Sequence, residues 1–178
     1  MRAKAAPASS DTSADDDGNR IVFTINARLF LTDIDWNDET GAPEPHTREL
    51  AGEWLDEDPA MYTPVLNPRI APDGEHVLYT TGSYLMLVDI GGELGDRITA
   101  VYGVSVEDED GNPAENTWKI GLAEFVAGEE MDRYDGFWWA PDSQHVLFES
   151  FDTAESDLAH QRSATPRSRT PAAATRAR

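Results

Sequence analysis

The strongest constraint in this sequence is an internal repeat. Ala71-Pro72-Asp73-Gly74-Glu75-His76-Val77-Leu78-Tyr79 recurs as Ala140-Pro141-Asp142-Ser143-Gln144-His145-Val146-Leu147-Phe148, at a constant offset of 69 residues. Each copy reads as a strand end, a Pro-Asp turn and a second strand. Proline suits the second position of such a turn because its fixed φ is already correct there. A repeated hairpin cannot bury its apolar side alone, so copies must stack on one another.

The flanking sequence extends this β pattern. Ile21 to Ile25 and Leu29 to Ile34 are β-branched and aromatic runs parted by Asn26-Ala27-Arg28, which predicts a hairpin. Val65 to Ile70 predicts a short strand, and His76 to Thr80 with Tyr84 to Ile90 predicts a hairpin through Thr81-Gly82-Ser83. Ile98 to Val106 reads as a further strand. Trp138-Trp139 and His145 to Phe151 read as the last ones. Asp35 to Glu57 is polar and holds Pro43 and Pro45, so it reads as a long loop, with one turn near Leu50 to Leu55. The expected fold class is all-β: a partial β-propeller of a few antiparallel blades with a short helical insertion and disordered termini. Blades commonly repeat at roughly 40 to 50 residues. The longer offset implies an insertion, placed at Glu107 to Gly136 with an acidic loop around Asp110-Gly111.

Charge divides the chain. The last 20 residues, Ala159 to Arg178, hold five arginines and no acid, so the first 158 carry nine bases against 34 acids, a net of −25. A tail of Ala, Ser, Thr, Pro and Arg has no apolar face to bury and is expected to be disordered. Met1 to Gly18 is rich in Ala, Ser and Asp and reads the same way, with order starting at about Arg20. The expected domains are a disordered 1–19, a partial propeller over 20–158, and a disordered basic tail over 159–178.

Composition excludes several functions. The overall charge of −20 would repel a polyphosphate, so no nucleic-acid partner is expected. No cysteine is present, which removes disulfides, thiolate catalysis and cysteine-based zinc sites. No apolar run approaches the roughly 20 residues of a membrane helix, and Met1 to Asp17 lacks the apolar core of a secretory signal. The expectation is a cytoplasmic protein with no membrane partner. No cofactor and no metal are expected. His76 and His145 are equivalent in the repeat and read as structural, and the acidic turns at Asp15 to Gly18 and Asp108 to Gly111 do not fit a calcium loop.

One segment has helical spacing. In Gly121 to Arg133, Leu122, Phe125 and Val126 stand at i, i+3 and i+4, and the next positions on that face are Glu129 and Glu130. Two carboxylates sit where apolar residues would continue the stripe. Gly128 weakens the helix beside them. Such a pair repels itself until a cation arrives, and an ammonium group offers three donors to several carboxylate oxygens.

The run from Gly121 through Glu129-Glu130 to Trp138-Trp139-Ala140-Pro141-Asp142 resembles the β-propeller of the dipeptidyl peptidase IV family, serine peptidases of the prolyl oligopeptidase clan. The form is most similar to the bacterial and dipeptidyl peptidase 8/9-like members. The resemblance covers Asn67 to Leu158, and Arg20 to Leu66 more loosely. It implies that Glu129 and Glu130 grip the free α-amino group of a peptide whose N-terminal dipeptide is released. The family also uses a propeller arginine on the substrate carbonyl; no motif singles out Arg48 or Arg69 for that role. Tyr134, Trp138 and Trp139 read as supports of the loop and blade core.

The family's catalytic half is an α/β-hydrolase domain with a Gly-x-Ser-x-Gly elbow, and that pattern does not occur here. The chain alone is therefore expected to be inactive, a substrate-gating fragment whose partners are a peptide N-terminus and the missing catalytic domain. Its few blades cannot close a ring, so self-association through open blade edges is also expected. The alternatives are a stand-alone propeller-like scaffold and the non-functional product of a truncated gene.

Overall fold

The computed structural model describes residues 12–50, 62, 64–92, 95–112 and 114–154. The expected tail over 159–178, the first 11 residues and the turn predicted beyond Leu50 lie outside the described residues.

The first sheet runs β1 (Thr12–Ala14), β2 (Arg20–Ile25), β3 (Arg28–Trp36) and β4 (Pro43–Glu49), each antiparallel to the next. The β2–β3 hairpin closes through Asn26 and Ala27 at φ 52° and 61°. Positive φ at both turn residues is what a two-residue hairpin needs to match the strand twist. One expectation is corrected here. Thr12–Ala14, ahead of Arg20, is already strand, because β1 pairs with β2 through its backbone although its side chains are small. Asp15 to Gly18 is the turn between them: the Gly18 N–H donates to Asp15 O at 3.2 Å and the Arg20 N–H to Asp15 Oδ1 at 3.1 Å.

The stretch predicted as a loop after Asp35 contains strand β4. Pro43 and Pro45 lie opposite Trp36 and Ile34, and among the described residues β4 has no second neighbour in the sheet. Proline is compatible with an edge strand, where a missing N–H costs no ladder bond on the open side.

The second sheet has the same up-and-down order: β5 (Leu66–Ile70), β6 (His76–Thr80), β7 (Tyr84–Gly92) and β8 (Gly95–Gly103). The β8 strand lies a few residues earlier than the predicted Ile98 to Val106. The β5–β6 register shifts between Leu66 and Arg69, where Asn67 adopts φ 51°. A third unit follows. β9 (Trp118–Ile120) pairs with β12 (Ser150–Asp152), and β10 (Phe137–Trp139) pairs with β11 (Val146–Phe148). Part of the expected insertion is thus strand, since β9 falls inside it. Helix α1 (Phe125–Met131) connects β9 to β10.

The sheets stack face to face. Val22, Leu29, Leu31 and Leu50 of the first sheet region meet Val77, Tyr79, Met86 and Val88 in one core. Leu78 and Leu85 meet Ile120 and Phe137 in another, with Trp139, Val146 and Phe148 packed against it. Strand β6 therefore feeds alternate side chains to two cores, as a period-2 strand between two layers must. Each such aliphatic side chain taken from water contributes about 1.5–3 kcal/mol. This is an all-β arc of propeller: two four-stranded blades and part of a third.

The repeat is structurally real. In the first copy, Ala71 N donates to His76 O at 2.8 Å and Gly74 N to Ala71 O at 2.9 Å; in the second, Ala140 N donates to His145 O at 2.8 Å and Ser143 N to Ala140 O at 3.0 Å. Gly74 has φ 76°, and Ser143 holds the same left-handed region at 56°. The two turns touch, with Asp73 N–H donating to Ser143 Oγ at 3.0 Å.

Ala27 has a Cβ in the left-handed region and is exposed. Such a conformation costs an L-residue roughly 1–2 kcal/mol, part of which glycine returns as unfolded-state entropy. Ala27→Gly should therefore stabilise the chain by up to about 1 kcal/mol, read as a raised thermal midpoint.

Candidate functional site

The segment from Gly121 to Gly136 leaves the third unit, carries α1 and returns. Its base is closed by backbone bonds: Gly136 N–H donates to Gly121 O at 3.0 Å, and Ala123 N–H to Tyr134 O at 3.1 Å. Leu122 also pairs antiparallel with Asp135. The limbs lie so close that a Cβ on Gly136 would come within 2.4 Å of Leu122 O, which explains glycine there. Gly121 N–H donates to Glu149 O at 3.0 Å and Glu149 N–H to Gly136 O at 2.7 Å, joining the base to the β11–β12 junction.

Helix α1 is shorter than the predicted Gly121 to Arg133, and its orientation corrects the expected face. Leu122 precedes the helix. Phe125 is 78% exposed and Val126 is also exposed, whereas Ala127 is the buried helical residue at 4%. The physical reason is size: the helix approaches its own return limb through Ala127 and Gly128, the latter lying near the Tyr134 ring. The chain then turns sharply at Asp132, at φ 54°, with the Asp132 N–H bonded to Ala127 O.

Glu129 and Glu130 are both exposed on the last turn of α1. Glu129 lines an open cavity of about 400 Å³ with Asn67, Arg133, Tyr134 and apolar Leu66, Leu122 and Phe125; Glu130 is not among its lining residues. Among the described residues, neither carboxylate has a basic partner within ion-pair distance. The nearby cation, Arg133, is engaged elsewhere: it donates to Asp135 O at 3.0 Å, pairs with Glu149 at 3.2 Å, and lies 5.5 Å over the Trp138 ring. An acidic rim beside a mostly apolar cavity suits a ligand with an ammonium head and an apolar body.

Arg48 and Arg69 are each held by carboxylates. Arg48 forms a two-pronged pair with Asp96, one prong at 3.1 Å, and approaches Asp33 at 4.0 Å. Arg69 pairs with Asp135 at 2.8 Å. Trp139 acts as the predicted support, since its half-buried indole N–H donates to Arg69 O at 3.0 Å. Tyr134 and Trp138 are exposed instead, and both flank the return limb.

Three residues around the site were not singled out by sequence: Asn67, Arg133 and Asp135. Asn67 sits at the β5 bulge, and its amide donates to Tyr134 O at 3.0 Å. The left-handed φ at an asparagine inside a strand is a structural signal that no spacing pattern carries. His76 Nε2 lies 3.3 Å from Asp89, and His145 Nδ1 lies 2.8 Å from Asp142. Asp73, Glu75 and His76 bring potential metal-ligand atoms within 4.8 Å of one another at the first-copy turn.

The Tyr134 phenol is pushed above its ordinary value of 10, first by its hydrogen bond to the Asp132 carboxylate and that carboxylate's charge, then by Glu129. A raised phenol favours the neutral form in the folded chain. Its contribution is complete below pH 10 and is lost as pH rises through the folded value. Asp132→Asn should bring the Tyr134 midpoint back toward about 10, measured as tyrosinate absorbance against Tyr134→Phe.

Comparison with known proteins adds independent findings. The family model described as the dipeptidyl peptidase IV (DPP IV) N-terminal region matches residues 23–175. Dipeptidyl peptidase 8 of Mus musculus is 27% identical over 105 residues, covering 53% of this chain and 11% of the relative. Dipeptidyl peptidase 8 of Homo sapiens matches to the same extent. The chain thus spans 11% of the length of these curated relatives. No described helix is long and apolar enough to cross a membrane.

Proposed function

The chain belongs to the dipeptidyl peptidase IV N-terminal region family, and from that premise we propose that it supplies the substrate-gating part of a cytoplasmic dipeptidyl peptidase. In this reading Glu129 and Glu130 bind the free α-amino group of a peptide. Hydrolysis belongs to a serine-type catalytic domain, for which this chain has no Gly-x-Ser-x-Gly elbow.

The observation that carries the proposal is the exposed carboxylate pair, without a basic partner among the described residues, presented on a short helix beside an apolar cavity. An ammonium that reaches both carboxylates makes charge-assisted hydrogen bonds with each. Phe125, Leu122 and Tyr134 offer apolar contact to the first side chain of such a peptide. Requiring a free amine is also how such a site would count residues: it fixes the distance from the N-terminus to the bond that is cut.

The test uses the tripeptide amide Ala-Pro-Phe with a free amine and its N-acetylated form. NMR titration of the purified chain should show binding of the first and at least tenfold weaker binding of the second. That preference corresponds to one charged hydrogen bond of about 1.5–3 kcal/mol. Glu129→Gln and Glu130→Gln should each reduce it. Equal affinities for the two peptides, or a preference untouched by both substitutions, would overturn the assignment.

A further inference from the structure

We propose that Asn67 and Arg69 are positioning residues for the Glu129–Glu130 pair, acting from the bulged strand β5 on the limb that returns from α1. The inference rests on the amine-binding reading above. It starts from a mechanical problem: α1 has seven residues, its capping residue Glu124 makes no side-chain cap bond, and Ala127 is its buried residue. A helix this short and this exposed is not held by its own packing. A binding site that works by fixed geometry needs such an element held from outside.

The return limb is what holds it. Asn67 is 5% exposed, and its amide donates to Tyr134 O, the same carbonyl that accepts from Ala123 N–H. Two residues along β5, Arg69 places Nε at 3.0 Å and Nη2 at 2.8 Å from Oδ2 of Asp135, the residue after Tyr134. Arg69 is itself braced, with Nη1 donating to Pro68 O at 2.9 Å and its own carbonyl accepting the Trp139 indole at 3.0 Å. Residues 67 and 69 share one face of β5, and the register shift with φ 51° at Asn67 sets the backbone from which its buried amide reaches Tyr134 O. Two successive residues of the limb are thereby tied to the second blade, and Tyr134 in turn lies against Gly128 and beside Glu129.

The discriminating variants are Asn67→Gly, which keeps the left-handed backbone and removes the donor, and Asp135→Asn, which removes the charge. Hydrogen exchange should become at least tenfold faster at the amides of Ala123, Gly128 and Arg133, while Tyr79 in β6 stays protected. The preference for the free-amine tripeptide over its acetylated form should fall about tenfold. The swap Arg69→Asp with Asp135→Arg should recover part of both. If Asp135→Asn does not fold, Asn67→Gly decides alone. Unchanged exchange at the three amides overturns the clamp. Faster exchange with full amine preference overturns its service to the site. A wild-type chain with no amine preference sinks the amine-binding reading instead, and exchange still decides whether the clamp exists.

Discussion

The stacking of the described sheets depends on strand β6 of the second sheet being buried on both faces. Val77 and Tyr79 point into the core shared with the first sheet, and Leu78 between them points into the core shared with the third unit. A strand so used has no polar face, and four of the five residues of β6 are buried. Tyr79 shows the consequence for a polar atom caught there: burial raises its phenol far above the ordinary value, and its hydroxyl donates to Tyr62 O at 3.3 Å.

That middle sheet also reaches the candidate site. Its first strand, β5, sends Ile70 to the core and the bulged Asn67–Arg69 stretch toward the excursion bearing α1. Stability and recognition thus share one strand, divided along its length. The ion pairs follow the same plan: Arg20 bonds Asp33 within the first sheet and Gly74 O across to the second, and Arg48 bonds Asp96 across the same seam. Arg20 and Arg48 thus sit at the joint between the first two sheets.

The sequence carried the hairpins well, because β-branched runs and turn residues coincide with them, as at Asn26-Ala27. The repeat carried the stacking. What it concealed has definite causes. Strands β1 and β4 pair through backbone atoms while their side chains are polar or prolyl, so no apolar alternation marks them. The helical stripe of Leu122, Phe125 and Val126 was read by spacing, but the structure buries the small Ala127 instead, since close approach to the return limb favours small volume over hydrophobicity. The short helix that carries Glu129 and Glu130 was legible from its spacing. The Asn67 and Arg69 support was not, because it joins residues more than 60 positions apart through a bulge.

Pro43 and Pro45 on β4 have a meaning beyond tolerance of an edge. A sheet that ends in free N–H and C=O groups is a template on which another strand can grow. Two prolines at alternate positions delete the donors that such a ladder would use on one side. The Pro43–Pro45 part of this border is therefore a poor template for strand-by-strand extension. Contact with further blades is left to the flat sides, where apolar side chains rather than backbone bonds decide the fit.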